Sequence, residues 1–391
     1  MKKLLTCLLV LVLAFSLFAS GAEEKSNDGP IKIGSIMDLT GGASNMGRPH
    51  SWGVEYAIKK VNEAGGINGR QIELYTQDCK NDITEGLNAY HKLVDEIGVC
   101  AIIGPALSNP ASAWVDLSAE DKIPIVGHFM DEVCTTNPDT GAVYPYMFLA
   151  EPSCSVQSYD MAAYALAELG LKKYAVLYNP SNAFAKAHAE PFIAYVKENG
   201  GEVTAVETMG WADRDYSAQA IKITNSGAEA VFLCDYLAQN LISYDALRDA
   251  GFKGAILGAN TLAPPLADQV KNDVYDVYFL QNYDMLNPNV GIINELVFSE
   301  MAATGTESPQ CNVGFAWDAV QVLVEAMKKA KDPTDGEEVA KLLEQTTGVL
   351  LSSGDTISID PATHRPNNMG MYIATYDENH NMVICGREDI Y

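Results

Sequence analysis

Along the chain, hydrophobic and polar positions first fall into a strand pattern. Ile31 to Asp38 is a short apolar run that ends in Thr, Gly, Ser and Asn, which predicts a buried strand feeding a polar loop over residues 39–48. From Gly53 the period lengthens. Val54, Ala57, Ile58 and Val61 stand at i, i+3, i+4 and i+7, so a helix lays one apolar face on the sheet. Gly65 and Gly66 stop it, because glycine tolerates the positive φ of a C-cap. Gln71 to Asp78 then alternates Ile72 and Leu74 with polar residues as a second strand. Strand, helix and strand within about fifty residues make one right-handed crossover unit, and such units bind ligands beyond the carboxyl ends of their strands. The loop over 39–48 is therefore placed at a binding edge.

The alternation continues. A helix is predicted from Ile83 to Ile97 and a strand from Val99 to Ile103, followed by a helix starting near Asn109 or Pro110 and strands at Ile123–Val126 and Tyr146–Leu149. The pattern restarts at Glu151-Pro152, with strands at Tyr174–Tyr178, Val203–Val206, Ala230–Leu233, Ala255–Leu257 and Val277–Leu280. Helical segments separate them near 156–169, 183–199, 216–226, 238–250 and 262–271. The same alternation occurring twice predicts two similar α/β lobes. After Tyr283, Ala316, Ala319, Val322, Leu323, Ala326 and Met327 form a helical stripe, and short strands follow at Ile357–Ile359, Met371–Tyr376 and Met382–Cys385.

Asn62-Glu63-Ala64-Gly65-Gly66-Ile67-Asn68-Gly69-Arg70, following a strand that ends Asp38-Leu39-Thr40-Gly41, resembles the signature of type I periplasmic substrate-binding proteins. Within that group the chain is most similar to the branched-chain amino acid binding proteins of ABC importers. The resemblance covers the whole mature chain, strongest over the first hundred residues and weak after Tyr283. It implies two Rossmann-like lobes joined by a three-segment hinge: residues 31–149 with 283–362 in lobe 1, and 150–282 with 363–391 in lobe 2. It further implies capture of a small ligand, an amino acid with an apolar side chain above all, by a monomer that hands it to an ABC permease in the inner membrane.

By the same resemblance, the ligand carboxylate is held by Ser108 and Asn109 after the third strand and by Phe129, Met130 and Asp131 after the fourth. Phe184, Tyr236 and Asn260 are the second-lobe contacts, and Met46 falls where an aromatic commonly lines the pocket. Each has a plainer role open to it: Ser108 as a helix N-cap, Tyr236 as a strand-end ring that simply packs. The acid expected to pair with an α-ammonium falls at Asn260, which carries no charge, while Asp131 stands where a neutral hydroxyl is usual and Asp235 lies beside Tyr236. Asp131 or Asp235 is expected to replace it, since a buried cation needs an opposite charge. Without an ammonium partner, the ligand becomes an amide, a urea-like compound or another small polar metabolite.

The N-terminus narrows the compartment. Lys2 and Lys3, an apolar run from Leu4 to Phe18 and the small residues Ser20-Gly21-Ala22 read as a signal peptide over residues 1–22, which directs the chain to the periplasm. No later stretch reaches the ~20 apolar residues that spanning a bilayer requires. Without the signal, 51 acidic residues face 24 basic ones, which repels phosphate backbones and argues against nucleic acid as a partner. Seven cysteines remain, an odd number; Cys134 with Cys154 is a possible disulfide. The six histidines show no metal-ligand spacing, and no nucleophile elbow or phosphate loop occurs, so neither a cofactor nor catalysis is expected. Among the histidines, His128 is placed near the cleft as a hydrogen-bonding wall. A sensing module without transport and an exported hydrolase are the alternatives from other classes.

Overall fold

The computed structural model describes residues 29–388, apart from residues 106 and 368; the expected signal at 1–22 lies outside them. Five strands, β1 (Ile31–Met37), β2 (Ile72–Asp78), β3 (Ala101–Ile103), β4 (Ile125–Gly127) and β5 (Met147–Leu149), form a parallel sheet in the order β2-β1-β3-β4-β5. A second sheet holds β6 (Lys173–Tyr178), β7 (Glu202–Thr208), β8 (Ala230–Leu233), β9 (Ala255–Gly258) and β10 (Val277–Gln281), ordered β7-β6-β8-β9-β10 and also parallel. Two short pairings follow, β11 (Val349–Leu350) with β12 (Thr356–Ile357) and β13 (Ile359–Asp360) with β14 (Arg365–Pro366). The hairpin of β15 (Met371–Tyr376) and β16 (Met382–Glu388) then returns to the second sheet, β15 running antiparallel to β10.

In each sheet the strand order reverses at one place, between β1 and β3 in the first and between β6 and β8 in the second. Connections leaving two such strands diverge to opposite faces, which opens a crevice beyond the carboxyl ends. The fold thus assigns four loops to the site: those after β1, β3, β6 and β8.

The helices are α1 (Ser44–Glu63), α2 (Ile83–His91), α3 (Ser108–Ser112), α4 (Val115–Asp121), α5 (Cys154–Ala167), α6 (Ala183–Glu198), α7 (Ser217–Asn225), α8 (Leu237–Asp249), α9 (Leu266–Gln269), α10 (Ile293–Thr304), α11 (Asn312–Lys329) and α12 (Gly336–Leu343). Helix α1 begins nine residues before the predicted Gly53, so half of the expected loop is helical and Met46 rides on the first turn. Its first two turns carry Gly47, Pro49 and His50 and show no apolar period, which hid them. Gly47 is required there, because a Cβ would stand 1.9 Å from the Asp38 carbonyl oxygen. The helix ends as expected: Gly65 and Gly66 take φ of 106° and 76°.

Two predicted helices come out shorter. The one after β3 breaks at Ala113-Trp114 into α3 and α4, as Trp114 turns fully into the core. The one over 262–271 becomes a turn at Asn260–Leu262 and the four-residue α9, because Pro264 and Pro265 have no N–H to donate.

The predicted stripe on α11 is buried. Ala316, Ala319, Val322, Leu323 and Met327 pack with Val54, Ala57 and Ile58 of α1 and with β1, β3 and β4 in one core. At its other end the same helix reaches a different core, where Val313 and Phe315 join Tyr236, Leu233 and Phe279 of the second sheet. Leu323→Ala should therefore lower unfolding free energy by about 2–5 kcal/mol, the usual cost of emptying a buried leucine site. Urea denaturation followed by circular dichroism measures it, and a loss below about 1 kcal/mol would show that α11 is not integral to the first core.

Candidate functional site

The loop after β1 is built by two carboxylates. Asp38 Oδ1 accepts from Gly41 N at 2.7 Å and Oδ2 from Ala43 N at 2.6 Å. Asp78, at the end of the neighbouring β2, accepts from Leu39 N at 2.9 Å and from Thr40 Oγ1 at 2.5 Å. With four donors satisfied this way, the turn is rigid and launches α1 with Asn45 and Met46 at its rim.

After β3 comes Ser108. It is the first residue of α3 rather than its cap, and its Oγ accepts from Asp131 N at 3.2 Å. Acting as acceptor there, the hydroxyl keeps its proton for a ligand oxygen. Asn109 reaches across the crevice: its Oδ1 accepts from Ala183 N, on the first turn of α6, at 3.2 Å.

The loop after β4 divides its side chains. Phe129 is fully buried, with Tyr90 and Trp114, in the core behind the first sheet, so its ring does not belong to the crevice. Met130 points the other way, into a cluster with Ala43, Leu107, Phe184 and Tyr236, and its Sδ accepts from Gln157 Nε2 at 3.0 Å. Asp131 uses Oδ1 to accept from Val133 N at 3.1 Å. Burial pushes its carboxyl up to about 6, Glu132 adding to the rise, while the Val133 N–H and Lys186 of α6 pull it down.

On the second sheet, Phe184 and Tyr236 stack with centroids 5.4 Å apart, and Trp211 lies 6.0 Å from Tyr236 on its outer side. The Tyr236 hydroxyl is buried with no hydrogen-bond partner, and burial raises its pKa. Asp235 turns away beneath it. Its Oδ1 accepts from Asn182 Nδ2 and from Tyr236 N, both at 2.8 Å, and desolvation raises its pKa against those bonds. Asn240 ties this layer to the next strand end, donating to the Asp235 carbonyl at 2.7 Å and to Thr261 Oγ1 at 3.0 Å.

Asn260 stands at a corner between the sheets, where it lines a cavity of about 30 Å³ with Asn45, Met46, Leu237, Met285 and Cys311. That is room for one water-sized group. Its Nδ2 contacts Cys311 Sγ at 3.9 Å.

The structure gathers Met46, Met130, Phe184 and Tyr236 in one apolar cluster, joins Ser108 to the Asp131 amide and Asn109 to the Ala183 amide, and sets Asn260 beside Met46 on the small cavity; the Phe129 ring lies in the core behind the first sheet and the Asp235 carboxylate beneath Tyr236. Sequence reasoning missed Trp211, Leu237, Met285 and Cys311. Trp211 and Leu237 follow the tips of β7 and β8, a signal that was legible; Met285 and Cys311 come from segments where the resemblance fades. Cys134 and Cys154 are free buried thiols here, which corrects the possible pairing, and the other cysteines among the described residues are free as well. Among the described residues no cluster of His, Cys, Asp or Glu could hold a metal ion.

His128 is not a hydrogen-bonding wall but a packed one. Its ring lies 4.6 Å from that of His50 and 5.1 Å from that of Phe315. Residues 30–381 match the model of a family described as periplasmic binding protein. The chain belongs to that family. As a family member it is a binding protein rather than an enzyme. It is 29% identical over 234 residues to a Leu/Ile/Val-binding protein homolog of Brucella melitensis, an alignment covering 60% of this chain and 62% of that one. The chain thus spans less than two thirds of this relative. With the Leu/Ile/Val-binding protein BraC3 of Rhizobium johnstonii it shares 26% over 345 residues, 88% of this chain and 89% of the other. Its fold superposes on a crystal structure of the leucine-binding protein LivK of Thermotoga maritima with a TM-score of 0.79 at 25% identity, covering 91% and 98% of the two chains.

The buried histidines bear on acid stability. Burial holds His50 down to about 3 and His128 well below its ordinary value, so the folded protein keeps both neutral. As pH falls from about 6.5 toward 3 the unfolded chain binds protons that the folded chain refuses, and stability is lost. Between those limits His50→Gln should lose less stability than wild type in urea titrations across pH; parallel pH profiles for the two proteins would contradict the assignment.

Proposed function

We propose that this chain is the extracytoplasmic solute-binding component of an ABC importer and captures a small polar ligand, an amino acid with an apolar side chain, between two lobes that close on a hinge. The observation that supports this reading is the meeting of loops from the two sheets, where Ser108 bonds the Asp131 amide on the first and Met130 of the same loop packs with the stacked Phe184 and Tyr236 of the second. The ligand carboxylate docks on Ser108 and the neighbouring backbone, and its side chain lies against Met46, Met130, Phe184 and Tyr236. The unpartnered Tyr236 hydroxyl supplies a further polar contact. Ligand that touches both lobes stabilises the closed form through contacts the open form lacks.

In this reading residues 1–22 are an export signal and the mature chain works in the periplasm as a monomer. Lobe 1 takes 31–149 with 283–362 and lobe 2 takes 150–282 with 363–391. The chain's departure from the first sheet after β5 and the return of β15 to β10 support those boundaries. A membrane permease reads the closed form. The names of its relatives favour leucine, isoleucine or valine.

A thermal-shift screen over amino acids, amides, ureas and aromatic acids, followed by isothermal titration calorimetry, tests this. A ligand at a hundred times its Kd should stabilise the protein by about 2.7 kcal/mol. Tyr236→Ala and Ser108→Ala should each weaken the best amino acid about tenfold or more, the worth of a lost buried contact. No shift with any amino acid would overturn the ligand class.

A further inference from the structure

One carboxylate outside the residues considered so far is deeply buried and only half satisfied. Glu151, just past β5 where the chain leaves the first sheet, is 1% exposed. Its Oε2 accepts from Asn282 Nδ2 at 3.2 Å, and Asn282 lies on the second crossing, just past β10. Oε1 has no hydrogen-bond partner, and neither has Asn282 Oδ1. The groups acting on Glu151 are Asp318 of α11 and Asn282, with no cation among them. Asp318 is different, because the Tyr283 hydroxyl at 2.9 Å, Ser352 N at 2.6 Å and Ser352 Oγ at 3.2 Å satisfy it.

Glu151 also lies within electrostatic reach of two buried thiols. After burial it is the largest influence on the Cys311 thiol, pushed up to about 12, and Cys311 lines the cavity with Asn260. It acts on Cys154 too, at the start of α5 in the cluster that holds Met130 and Tyr236. The corner that lacks an acid at Asn260 therefore has one within electrostatic reach through Cys311.

We infer that Glu151 supplies the counter-charge for the captured ligand, its free Oε1 receiving the ammonium of an amino acid at the corner between Cys311 and Asn260. The inference rests on the crevice being the ligand site and names the group that sets its substrate class. The two acids expected from sequence are held by more donors or a nearby cation. Asp131 caps the turn at Val133 and feels Lys186, while Asp235, whose Oδ2 is also unpartnered, already accepts two bonds at Oδ1 beneath Tyr236, against the single bond of Glu151. A buried carboxylate with one neutral donor stays protonated or meets a cation. Burial, reinforced by Asp318, holds Glu151 well above the usual carboxylate range, which favours its protonated form when no cation faces it. An arriving ammonium displaces that proton to solvent. Besides Asp318, the titratable groups in its field are Tyr283, Cys311 and Cys154. Because Glu151 and Asn282 occupy two of the crossings, ligand on Oε1 also ties the hinge strands together.

The test is calorimetry of the full mature chain at pH 7 with leucine and with its 2-hydroxy acid, in phosphate and in Tris. Wild type should release about one proton on binding leucine. Glu151→Gln should weaken leucine about ten- to a hundredfold, the worth of one charge-assisted hydrogen bond. It should also abolish proton release and leave the hydroxy acid's affinity unchanged, with a melting temperature equal to or above wild type, since a buried unpaired acid is removed. Wild-type affinity and proton release in Glu151→Gln, with leucine binding lost in Tyr236→Ala, would overturn the role of Glu151 and leave the crevice reading standing. Binding of no amino acid by wild type would overturn both.

Discussion

The constraint on which the rest depends is the meeting of two strand-order reversals. In each parallel sheet a single point exists where successive connections leave to opposite faces, and loops from the two points touch where Asn109 accepts from Ala183 N. Contacts there keep them in register: Cys154 N donates to the Met130 carbonyl at 2.9 Å, Gln157 Nε2 reaches Met130 Sδ, and Asn109 takes the Ala183 amide. None of these is a strong bond alone. Together they bring a loop that belongs to the first sheet against helices that belong to the second.

The crevice pairs unlike halves. The first sheet offers fixed polar groups, since Asp38, Asp78 and Ser108 all spend bonds on backbone amides and hold their loops still. The second sheet offers aromatic area, Phe184, Tyr236 and Trp211, whose rings tolerate small shifts of a ligand without losing contact. Such a division suits a docking face that recognises a constant carboxylate and a closing face that accommodates a variable side chain. Beside both runs α11, with Phe315 in the core of the second sheet and Leu323 and Met327 in that of the first, so this helix is anchored in both.

Most of this architecture was legible because its signals are local. The period change at Val54, the glycines at 65 and 66 and the apolar runs of the ten parallel strands each state one element, and their alternation states the sheet type. What escaped was decided by tertiary contacts. The first turns of α1 carry no apolar stripe, since Gly47 and His50 meet the Asp38 carbonyl and His128 rather than a flat sheet. The helix after β3 has a continuous pattern along the chain, and it is the burial of Trp114 in the core that breaks it. At the site, the resemblance assigned Met46, Ser108, Phe184, Tyr236 and Asn260 to one crevice; Met46, Phe184 and Tyr236 share an apolar cluster, and Asn260 lines a small cavity with Met46. Phe129 and Asp235 could not be sorted by sequence, because which side of a strand-end loop a residue faces depends on a single backbone rotation. Glu151 was visible only as a boundary residue; nothing in its surroundings along the chain announces an unpartnered oxygen.

Small-angle X-ray scattering of the mature chain, with and without a saturating ligand identified by calorimetry, measures the central claim directly. Closure of two lobes around the ligand predicts a smaller radius of gyration and a shorter maximum dimension in the bound sample. Superimposable profiles at saturation would contradict it.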